Sequence, residues 1–323
     1  MVDAMQFRKV GGPEVLEKTT VGMVPPGLGE VRIRHTAIGV NYIDIYHRSG
    51  LYATSLPTIP GYEAAGVVEA IGPGVGFAPG TRVAYCRGPI GAYSSERIIA
   101  AKHLVALPTE VRDINAASVM LKGLTAWYLL HETFPVRKGD TILMHAAAGG
   151  VGQILCQWAK QLGARVIGTV GSEAKAVTAK QAGCDEVILY RDEPIAKRVR
   201  ELTNGEGVPV VYDAVGQSTF TESLDSLKPL GMMVSFGQAS GPIPPFALSE
   251  LQKRGSLFIT RPSLNDYISD DATYQRAAKA LLAMITEKKI ILRPPARHAL
   301  SEAADAHRAL EARLTSGSTV LIP

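Results

Sequence analysis

The middle of the sequence repeats one pattern, in which a short apolar run is followed by a loop and then by a helical stretch. The first instance runs from Thr141-Ile-Leu-Met-His145 through a glycine-rich loop into a helical pattern over 150–162. The next apolar run covers 165–170, and a second helical pattern follows over 172–182. Repeated alternation of strands and helices predicts a parallel sheet with helices on both faces. The expected fold class is therefore α/β, with a doubly wound parallel sheet.

The loop after the first of these strands has the spacing Ala147-x-Gly149-x-x-Gly152. This spacing resembles the dinucleotide-binding fingerprint GxGxxG, with alanine in place of the first glycine. Gly149 leaves room for a pyrophosphate, and Gly152 lets the helix pack closely on the strand. The start of the helix offers unpaired N–H groups and a partial positive charge to the anion. The sequence therefore predicts that a dinucleotide binds at this loop.

The residues that follow the second strand indicate which dinucleotide is bound. NAD-specific sites place an acidic residue at the strand end to hold the ribose 2′-hydroxyl, whereas this chain has Gly171 and Ser172. A 2′-phosphate would be attracted to Lys175 and would accept a hydrogen bond from Ser172. Glu173 is either a ribose ligand or an acid in the first turn of a helix, and we favour the second because it lies past the strand end. The predicted cofactor is NADPH.

The first third of the chain has a different sequence pattern, in which short strand patterns are separated by glycine and proline. The patterns cover 29–35, 63–71 and 81–85, which predicts an irregular β-rich unit. The tail has two helical patterns, at about 271–287 and 301–314. A chain of 323 residues exceeds one typical core, so we expect two domains.

Composition excludes several classes of function. The net charge is +4 and no Lys/Arg block is present, so nucleic acid is not expected as the primary partner. No uncharged apolar run approaches the ~18 residues that a membrane span requires, and no signal sequence is expected at the start. Cys86, Cys156 and Cys184 form neither a disulfide framework nor a metal-binding CxxC pair. We expect a cytoplasmic protein.

Segments distributed along the whole chain carry a resemblance to one known family. They are residues 41–46 with 49–52, 61–66, 121–128, 145–152 with 157–160, 211–216, 234–237 and 260–263. Through these segments the chain resembles the zinc-free, ζ-crystallin-like NADPH:quinone oxidoreductases of the medium-chain dehydrogenase/reductase superfamily.

The resemblance implies a domain organisation. Residues 1–120 would form a GroES-like catalytic domain, 121–260 a Rossmann domain that binds NADPH, and 261–323 a segment that returns to the catalytic domain. A helix that begins at residues 122–125 would connect the domains, with the cofactor in the cleft between them. The resemblance also implies a homodimer.

The resemblance further implies roles for individual residues. One group lies at the nicotinamide end of the cofactor, a second holds the phosphates and the adenosine ribose together with Gly149 and Gly152, and a third flanks the cofactor. The first group is Asn41, Tyr42, Asp44, Tyr46, Thr125 and Tyr128; the second is Gly150, Val151, Gly171, Ser172, Lys175 and Tyr190; the third is Phe236, Gly237 and Arg261, with Arg313 near the 2′-phosphate.

The chain departs from the zinc-dependent members of the superfamily at their metal ligands. Asn41 stands at the cysteine position and Tyr62 at the histidine position, and only Glu63 remains. One carboxylate cannot build a zinc site, so we predict no metal. Without such a Lewis acid, oxidation of simple alcohols is not expected.

A quinone is already electron-poor, so its reduction to a hydroquinone or semiquinone requires proximity and alignment more than an acid–base pair. Asn41, Tyr46 and Tyr52 are the candidate catalytic residues, because the tyrosines can stack on a ring and donate to its oxygen. The alternative role for these tyrosines is to line the cleft without taking part in the reaction. An NADPH-dependent alkenal or enone reductase is the main alternative. A crystallin-like or RNA-binding protein is the non-enzymatic one.

Overall fold

The computed structural model describes residues 1–323, which divide into two compact units. The first unit comprises residues 1–122, 270–287 and 291–323, and the second comprises 123–269 and 288–290. The strands are β1 (Val2–Gln6), β2 (Glu17–Val21), β3 (Glu30–Val40), β4 (Ala64–Ile71), β5 (Arg82–Tyr85), β6 (Glu96–Ala100), β7 (Val105–Ala106), β8 (Thr141–Met144), β9 (Arg165–Val170), β10 (Glu186–Leu189), β11 (Val208–Asp213), β12 (Leu227–Ser235), β13 (Phe258–Thr260), β14 (Ala296–Ala299) and β15 (Thr319–Ile322).

The helices lie between these strands. They are α1 (Tyr42–Arg48), α2 (Asp113–Tyr128), α3 (Gly150–Gln161), α4 (Glu173–Gln181), α5 (Ile195–Leu202), α6 (Phe220–Asp225), α7 (Ser249–Lys253), α8 (Leu264–Tyr267), α9 (Asp271–Thr286) and α10 (Ala303–Glu311). Short 3₁₀ segments occur at Pro13–Val15, Ala101–His103 and Leu300–Glu302, and a π-helical turn, Leu129–Thr133, extends α2. No helix combines the length and the apolar composition that a membrane crossing requires.

The second unit contains a six-stranded parallel sheet in the order β10-β9-β8-β11-β12-β13. Counted from its first strand, β8, this is the order 3-2-1-4-5-6 of a doubly wound dinucleotide-binding sheet. The strand order therefore reverses between β8 and β11, and ligands of such sheets bind beyond the carboxyl ends of the strands at that point. The predicted fold class is confirmed.

The strands of this sheet are nearly continuous apolar runs because helices cover both faces. Leu143, Ile167 and Val211 on the three central strands have no exposed surface. They belong to one core that also contains Val199 of α5 and Leu224 of α6. The loops that follow the carboxyl ends of these parallel strands lie at one edge of the sheet.

The first unit is built around a seven-stranded sheet and a separate two-stranded sheet, β1-β2. Strand β3 pairs antiparallel with β4, β6 and β15, so the last strand of the chain lies beside β3. The core under this sheet includes Phe7, Ile33, Ile38, Tyr85 and Tyr93, each at most 1% exposed. The predicted β-rich character of this part of the chain is confirmed.

Two local predictions differ from the structure, and one helix was not predicted. Helix α2 begins at Asp113, so residues 122–125 lie inside it and do not start it. The sequence pattern predicts a helix from about 192 to 202, but α5 begins at Ile195, because Pro194 is its N-cap and the residue before a proline avoids helical backbone angles. Helix α1 carries no long apolar repeat and was not anticipated from the sequence pattern.

A matched pair of substitutions tests the two-sided burial of the parallel sheet. Val166 of β9 is fully buried, whereas Val177 of α4 is 58% exposed. Val166→Ala removes buried methyl groups and leaves a cavity, so it should lower the free energy of unfolding by about 2 kcal/mol. Val177→Ala should change it by less than about 0.5 kcal/mol. Urea unfolding followed by circular dichroism measures both, and equal midpoints for the two variants would contradict the assigned packing.

Candidate active site and cofactor loop

The glycine-rich loop connects β8 to the start of α3 as the sequence predicts. Gly149 is the N-cap of α3, with extended backbone angles and no side chain to cap the helix. The first backbone bond into the helix is donated by Gln153 to the carbonyl of Gly149, at 3.0 Å. The N–H groups at residues 150–152 therefore have no acceptor within the helix, and they form an anion-binding position at its positive end.

Gly152 is required by close packing. A Cβ atom at this position would lie 2.5 Å from the carbonyl oxygen of Ala146 and 2.6 Å from that of Ala147. Backbone atoms cannot move aside for a side chain as a flexible side chain could. The third glycine of the fingerprint thus has the helix-packing role that the sequence analysis assigned to it.

A fully satisfied polar network lies under this loop, between β8, β9 and α6. The ring nitrogens of His145 lie 3.0 Å from the hydroxyls of Thr169 and Ser223. Ser223 and Thr219 donate to the same oxygen of Asp213, at 2.8 and 2.7 Å. Burial lowers the pKa of His145, so the ring is neutral and has a structural role at the ends of the central strands.

The residues predicted to select the 2′-phosphate lie together after β9. Ser172 is the exposed N-cap of α4, and Glu173 occupies the first turn of that helix, where an acid interacts favourably with the helix dipole. Lys175 is half-buried one turn into the same helix. The hydroxyl of Tyr190 would lie 2.5 Å from a Cβ atom at Gly171, so the tyrosine lies directly against this loop.

Three more predicted residues follow the next two strands of the sheet. Phe236 and Gly237 continue directly from β12, and both backbone N–H groups point to the carbonyl of Asp213, at 2.8 and 3.3 Å. The guanidinium of Arg261, just after β13, donates to the carbonyl of Ser235 at 2.7 Å. These residues therefore lie at the edge of the sheet formed by the carboxyl ends of its strands. The glycine-rich loop lies at the same edge.

Thr125 and Tyr128 both lie on α2, in the second unit. Thr125 is 8% exposed and Tyr128 is 2% exposed. The ring of Tyr128 stacks on Tyr267 with centroids 4.5 Å apart and planes inclined by 14°. Burial raises the pKa of Tyr128 well above its usual value, so its hydroxyl stays protonated.

The first unit holds the predicted tyrosines in one aromatic cluster. The ring centroid of Tyr46 lies 6.1 Å from that of Tyr42 and 5.2 Å from that of Tyr52. The ring centroid of His47 lies 5.8 Å from that of Tyr52, and the Nε2 atom of His47 is 3.1 Å from the hydroxyl of Tyr62. Such tilted aromatic surfaces suit a flat, electron-poor ring.

Asn41 lies at the start of α1, next to a buried ion pair. The carboxylate of Glu63 is fully buried, and its Oε1 atom accepts from Asn41 Nδ2 at 2.8 Å and from Lys122 Nζ at 3.0 Å. The second oxygen of Glu63 accepts from the backbone N–H of Leu121 at 2.7 Å. Lys122 Nζ also donates to the carbonyl of Val40, at 3.3 Å. We call Asn41, Glu63 and Lys122 the Glu63 cluster.

The backbone around the Glu63 cluster leaves no room for another side chain. A Cβ atom at Gly39 would lie 2.3 Å from the carbonyl oxygen of Ala117 and 2.3 Å from Glu63 Oε1. Strand β3 therefore lies directly against the carboxylate and α2, which explains a glycine inside a long strand.

Asp44 lies one helical turn after Asn41 and is 1% exposed. Its Oδ2 atom accepts from the backbone N–H of Asn41 at 2.9 Å and from the hydroxyl of Tyr93 at 3.2 Å, whereas Oδ1 has no partner. Burial raises the pKa of Asp44 from 3.8 to about 7, and the negative charge of Glu63 acts in the same direction. The carboxyl group is therefore partly protonated at neutral pH.

A series of buried hydrogen bonds leads from Arg48 to Asp44. Arg48, which is 1% exposed, pairs with both oxygens of Glu311 and lies 3.2 Å from Nδ1 of His307. Nε2 of His307 is 2.9 Å from the hydroxyl of Tyr93. Burial lowers the pKa of His307 to about 3, so the ring is neutral. Because arginine can only donate, Nδ1 accepts, Nε2–H donates to Tyr93, and Tyr93 donates to Asp44.

Arg313, the remaining predicted residue, belongs to the C-terminal part of the first unit. Its positive charge acts on Tyr42, whose hydroxyl donates to the carbonyl of Leu310 at 3.0 Å. The pKa of Tyr42 is nevertheless raised, chiefly by burial.

The partners that hold these side chains were not predicted from the sequence. Lys122, Tyr93, His307 and Arg48 were not assigned to the site, although an isolated charge within an apolar stretch, as at Lys122, is a usable signal of a buried pair. His307 and Tyr93 are 214 positions apart, and no local pattern links them. No group of three or more His, Cys, Asp or Glu side chains is placed to hold a metal ion.

Two family models match this chain. The alcohol dehydrogenase GroES-like domain matches residues 27–109, within the first compact unit. The zinc-binding dehydrogenase model matches residues 150–278, which begin at the first residue of α3, directly after the glycine-rich loop.

Relatives match over the full length. The chain is 51% identical to a quinone oxidoreductase of Pseudomonas aeruginosa, with 100% of both proteins covered. It is 46% identical to a 2-haloacrylate reductase from Burkholderia sp, covering 100% of this chain and 99% of the relative. Among solved structures, Escherichia coli quinone oxidoreductase complexed with NADPH has a TM-score of 0.97 at 44% identity, covering 99% of this chain and 100% of that one.

The raised pKa of Asp44 predicts a pH-dependent loss of stability. Between about pH 4 and about pH 7 the folded protein keeps a proton on Asp44 that the unfolded chain releases, so the free energy of unfolding falls as the pH rises through this window. Asp44→Asn removes the titration and stays neutral. Relative to the unmodified protein it should gain stability from pH 5 to pH 8, by on the order of 2–4 kcal/mol.

Thermal and urea unfolding at pH 5 and pH 8 measure this difference. Asp192→Asn is the control, because Asp192 is exposed and its charge is solvated. If the free energy of unfolding changes with pH by the same amount in Asp44→Asn and in the unmodified protein, Asp44 is ionised throughout this range and the prediction is wrong.

Proposed function

We propose that this chain, which belongs to the quinone oxidoreductase family of the medium-chain dehydrogenase/reductase superfamily, is an NADPH-dependent reductase of quinones. The observation that carries the proposal is the uncapped start of α3, where the N–H groups at residues 150–152 lack acceptors at the switch point of a doubly wound sheet. That arrangement fits the pyrophosphate of a dinucleotide. The E. coli relative, which is complexed with NADPH, supports the choice of cofactor.

The residues after β9 fit the 2′-phosphate. Strand β9 ends at Val170, and the chain continues with glycine and serine where an NAD site would have an acid. Ser172 offers a hydroxyl at the start of α4, and Lys175 brings a positive charge within one turn. The carboxylate of Glu173 is assigned to the helix dipole and not to a ribose.

Further cofactor contacts are proposed for the remaining predicted residues. Most of those in the second unit hold the pyrophosphate, the adenosine ribose or the flank of the cofactor. Thr125 and Tyr128, like Tyr42 and Asp44 in the first unit, contact the nicotinamide end, and Arg313 contacts the 2′-phosphate. They are Gly149, Gly150, Val151, Gly152, Gly171, Tyr190, Phe236, Gly237, Arg261, Thr125 and Tyr128 in the second unit, and Tyr42, Asp44 and Arg313 in the first.

Bound NADPH supplies the hydride, so the protein must hold and orient the acceptor. Tyr46 and Tyr52 offer a tilted aromatic surface for its ring, and a tyrosine hydroxyl can donate to a quinone oxygen. Asn41 is fixed by the bond from its Nδ2 atom to Glu63, and the second N–H of Nδ2 is the donor proposed for the acceptor. Proximity and alignment of the hydride donor and the acceptor then lower the barrier to transfer.

A reductase of activated C=C bonds is the second candidate. The relative named 2-haloacrylate reductase matches over the whole chain at 46% identity. A conjugated acid or carbonyl compound needs the same hydride donor and a similar flat site. Initial rates with NADPH and a panel of quinones and α,β-unsaturated carbonyl compounds separate the two candidates.

The assembly and location of the protein are proposed from the resemblance. We propose a homodimer in the cytoplasm, with residues 1–120 and 261–323 forming the catalytic domain and 121–260 the cofactor domain. Size-exclusion chromatography with light scattering measures the oligomeric state, and a monomer mass would overturn that part.

The preference for NADPH should depend on Lys175. Lys175→Ala should raise the Kd of NADPH by about tenfold, because one charge-assisted contact with a phosphate is worth on the order of 1–2 kcal/mol. The Kd of NADH should change by less than about twofold. Quenching of nicotinamide fluorescence measures both values.

The control for this experiment is Lys197→Ala, an exposed lysine on α5. It should leave both dissociation constants unchanged. Tighter binding of NADH than of NADPH by the unmodified protein, or equal losses for both cofactors in Lys175→Ala, would contradict the assignment of the 2′-phosphate site.

A further inference from the structure

The ammonium group of Lys122 is buried but not fully hydrogen-bonded. Its side chain is 8% exposed, and Nζ donates to Glu63 Oε1 at 3.0 Å and to the carbonyl of Val40 at 3.3 Å. An ammonium group has three N–H donors. The third has no acceptor within the chain, although a buried donor without a partner is costly.

The charges around Lys122 leave this donor available to a ligand. Both oxygens of Glu63 are already engaged, one by Asn41 and Lys122 together and the other by the backbone of α2. The next carboxyl group, Asp44, interacts electrostatically with both Glu63 and Lys122. Burial keeps Asp44 partly protonated at neutral pH. The hydroxyl of Tyr93 is turned toward Asp44 and so does not occupy the ammonium group.

Five further ionisable groups lie around this cluster or Asp44. Cys86, Tyr85 and Tyr93 interact with the charge of Glu63, and burial raises the pKa of each, so all three are neutral. Tyr62 is within electrostatic range of Asp44, and burial raises its pKa so that it is neutral. Arg48 is occupied by Glu311 and His307. The ion pair of Glu63 and Lys122 is therefore locally neutral as a whole, but its positive end keeps one N–H directed at no protein atom.

We propose that Lys122, with Asn41 beside it, binds the oxygen atom of the electron acceptor and stabilises the negative charge that this oxygen carries after reduction. The two side chains donate to the same oxygen of Glu63, which holds them next to each other. A donor that is fixed in advance in a low-dielectric environment stabilises developing charge without reorganisation. This inference rests on the proposed function and names the group that performs its charge stabilisation.

The step balances without a proton from Lys122. The C–H bond of the reduced nicotinamide breaks and its electron pair moves with the hydrogen to the acceptor, which becomes an anion as NADP⁺ forms. In a quinone one oxygen gains the hydrogen and the other carries the charge. In an α,β-unsaturated carbonyl compound the β-carbon gains the hydrogen and the carbonyl oxygen carries the charge. One proton from solvent neutralises the product, and Lys122 keeps its own.

The same charged group would thus serve both acceptor classes. The negative charge appears on an oxygen atom in each case, and only the atom that receives the hydride differs. One charged group that serves both acceptor classes would explain why relatives of this chain are named for a quinone in one case and for a haloacrylate in another.

A charge-neutral double variant tests the proposal. Lys122→Met alone would leave the carboxylate of Glu63 buried and unpaired, so Glu63→Gln/Lys122→Met removes both charges together. It should lower kcat by about 100-fold, in the range seen when one donor to a developing oxyanion is removed. The loss should be greatest for electron-rich quinones and enones and smallest for electron-poor quinones, whose reduced anions need less stabilisation. Lys122→Arg, which keeps the charge, should retain more activity.

Dissociation constants for NADPH separate this proposal from the proposed function. They should stay within about twofold in both variants, because the phosphate loop is untouched. If the unmodified protein neither binds NADPH nor reduces any acceptor, the proposed function fails. If it does both, but the double variant retains its kcat or loses the same factor with every acceptor, the role of Lys122 is refuted.

A measurement on the unmodified protein keeps the proposal testable if the double variant does not fold. With NADP⁺ bound, 4-nitrophenol should bind as its anion, and its absorbance should report a pKa at least one unit below that in buffer, a tenfold preference for the anion. An unchanged or raised pKa of the bound phenol would overturn the proposal.

Discussion

The fully buried carboxylate of Glu63 is the constraint around which the first unit is organised. A carboxylate without water is tolerable only if it is paired and hydrogen-bonded, and here it takes donors from Asn41, Lys122 and the backbone of α2. These bonds fix the start of α1 and the middle of α2 against β3 and β4. Removing one partner of a buried pair typically costs about 3–5 kcal/mol, so the arrangement is rigid. Asn41 is held in place because that charge must be satisfied.

The two units offer different groups to a ligand. The second unit offers backbone N–H groups and small residues at strand ends, which suits phosphates of a shared cofactor. The first unit offers tyrosine rings and a cluster of buried polar side chains, which suits orientation of a ring and stabilisation of charge on its oxygen. In the proposed function, the protein supplies position and electrostatics while the hydride comes from NADPH.

Much of the second unit could be predicted from sequence because its signals are local. The apolar runs that become β8 and β9 and the glycines between them lie within about thirty residues, so their spacing alone identifies the unit. The Glu63 cluster and the chain from Arg48 to Asp44 could not be predicted, because their members come from distant segments and meet only in the folded sheet. Helix α1 was missed for a related reason: it is short and is stabilised by contacts of Asp44 and Arg48 rather than by an apolar repeat.

Metal-free, NADPH-dependent reduction of a quinone can be followed in a single mixing experiment. The protein is saturated with NADPH in the presence of EDTA and mixed anaerobically with a benzoquinone in a stopped-flow instrument. The account predicts loss of NADPH absorbance at a rate proportional to protein, unchanged by EDTA and slower when the transferred hydrogen is deuterium. No oxidation of NADPH, or oxidation that EDTA abolishes and Zn²⁺ restores, would contradict it.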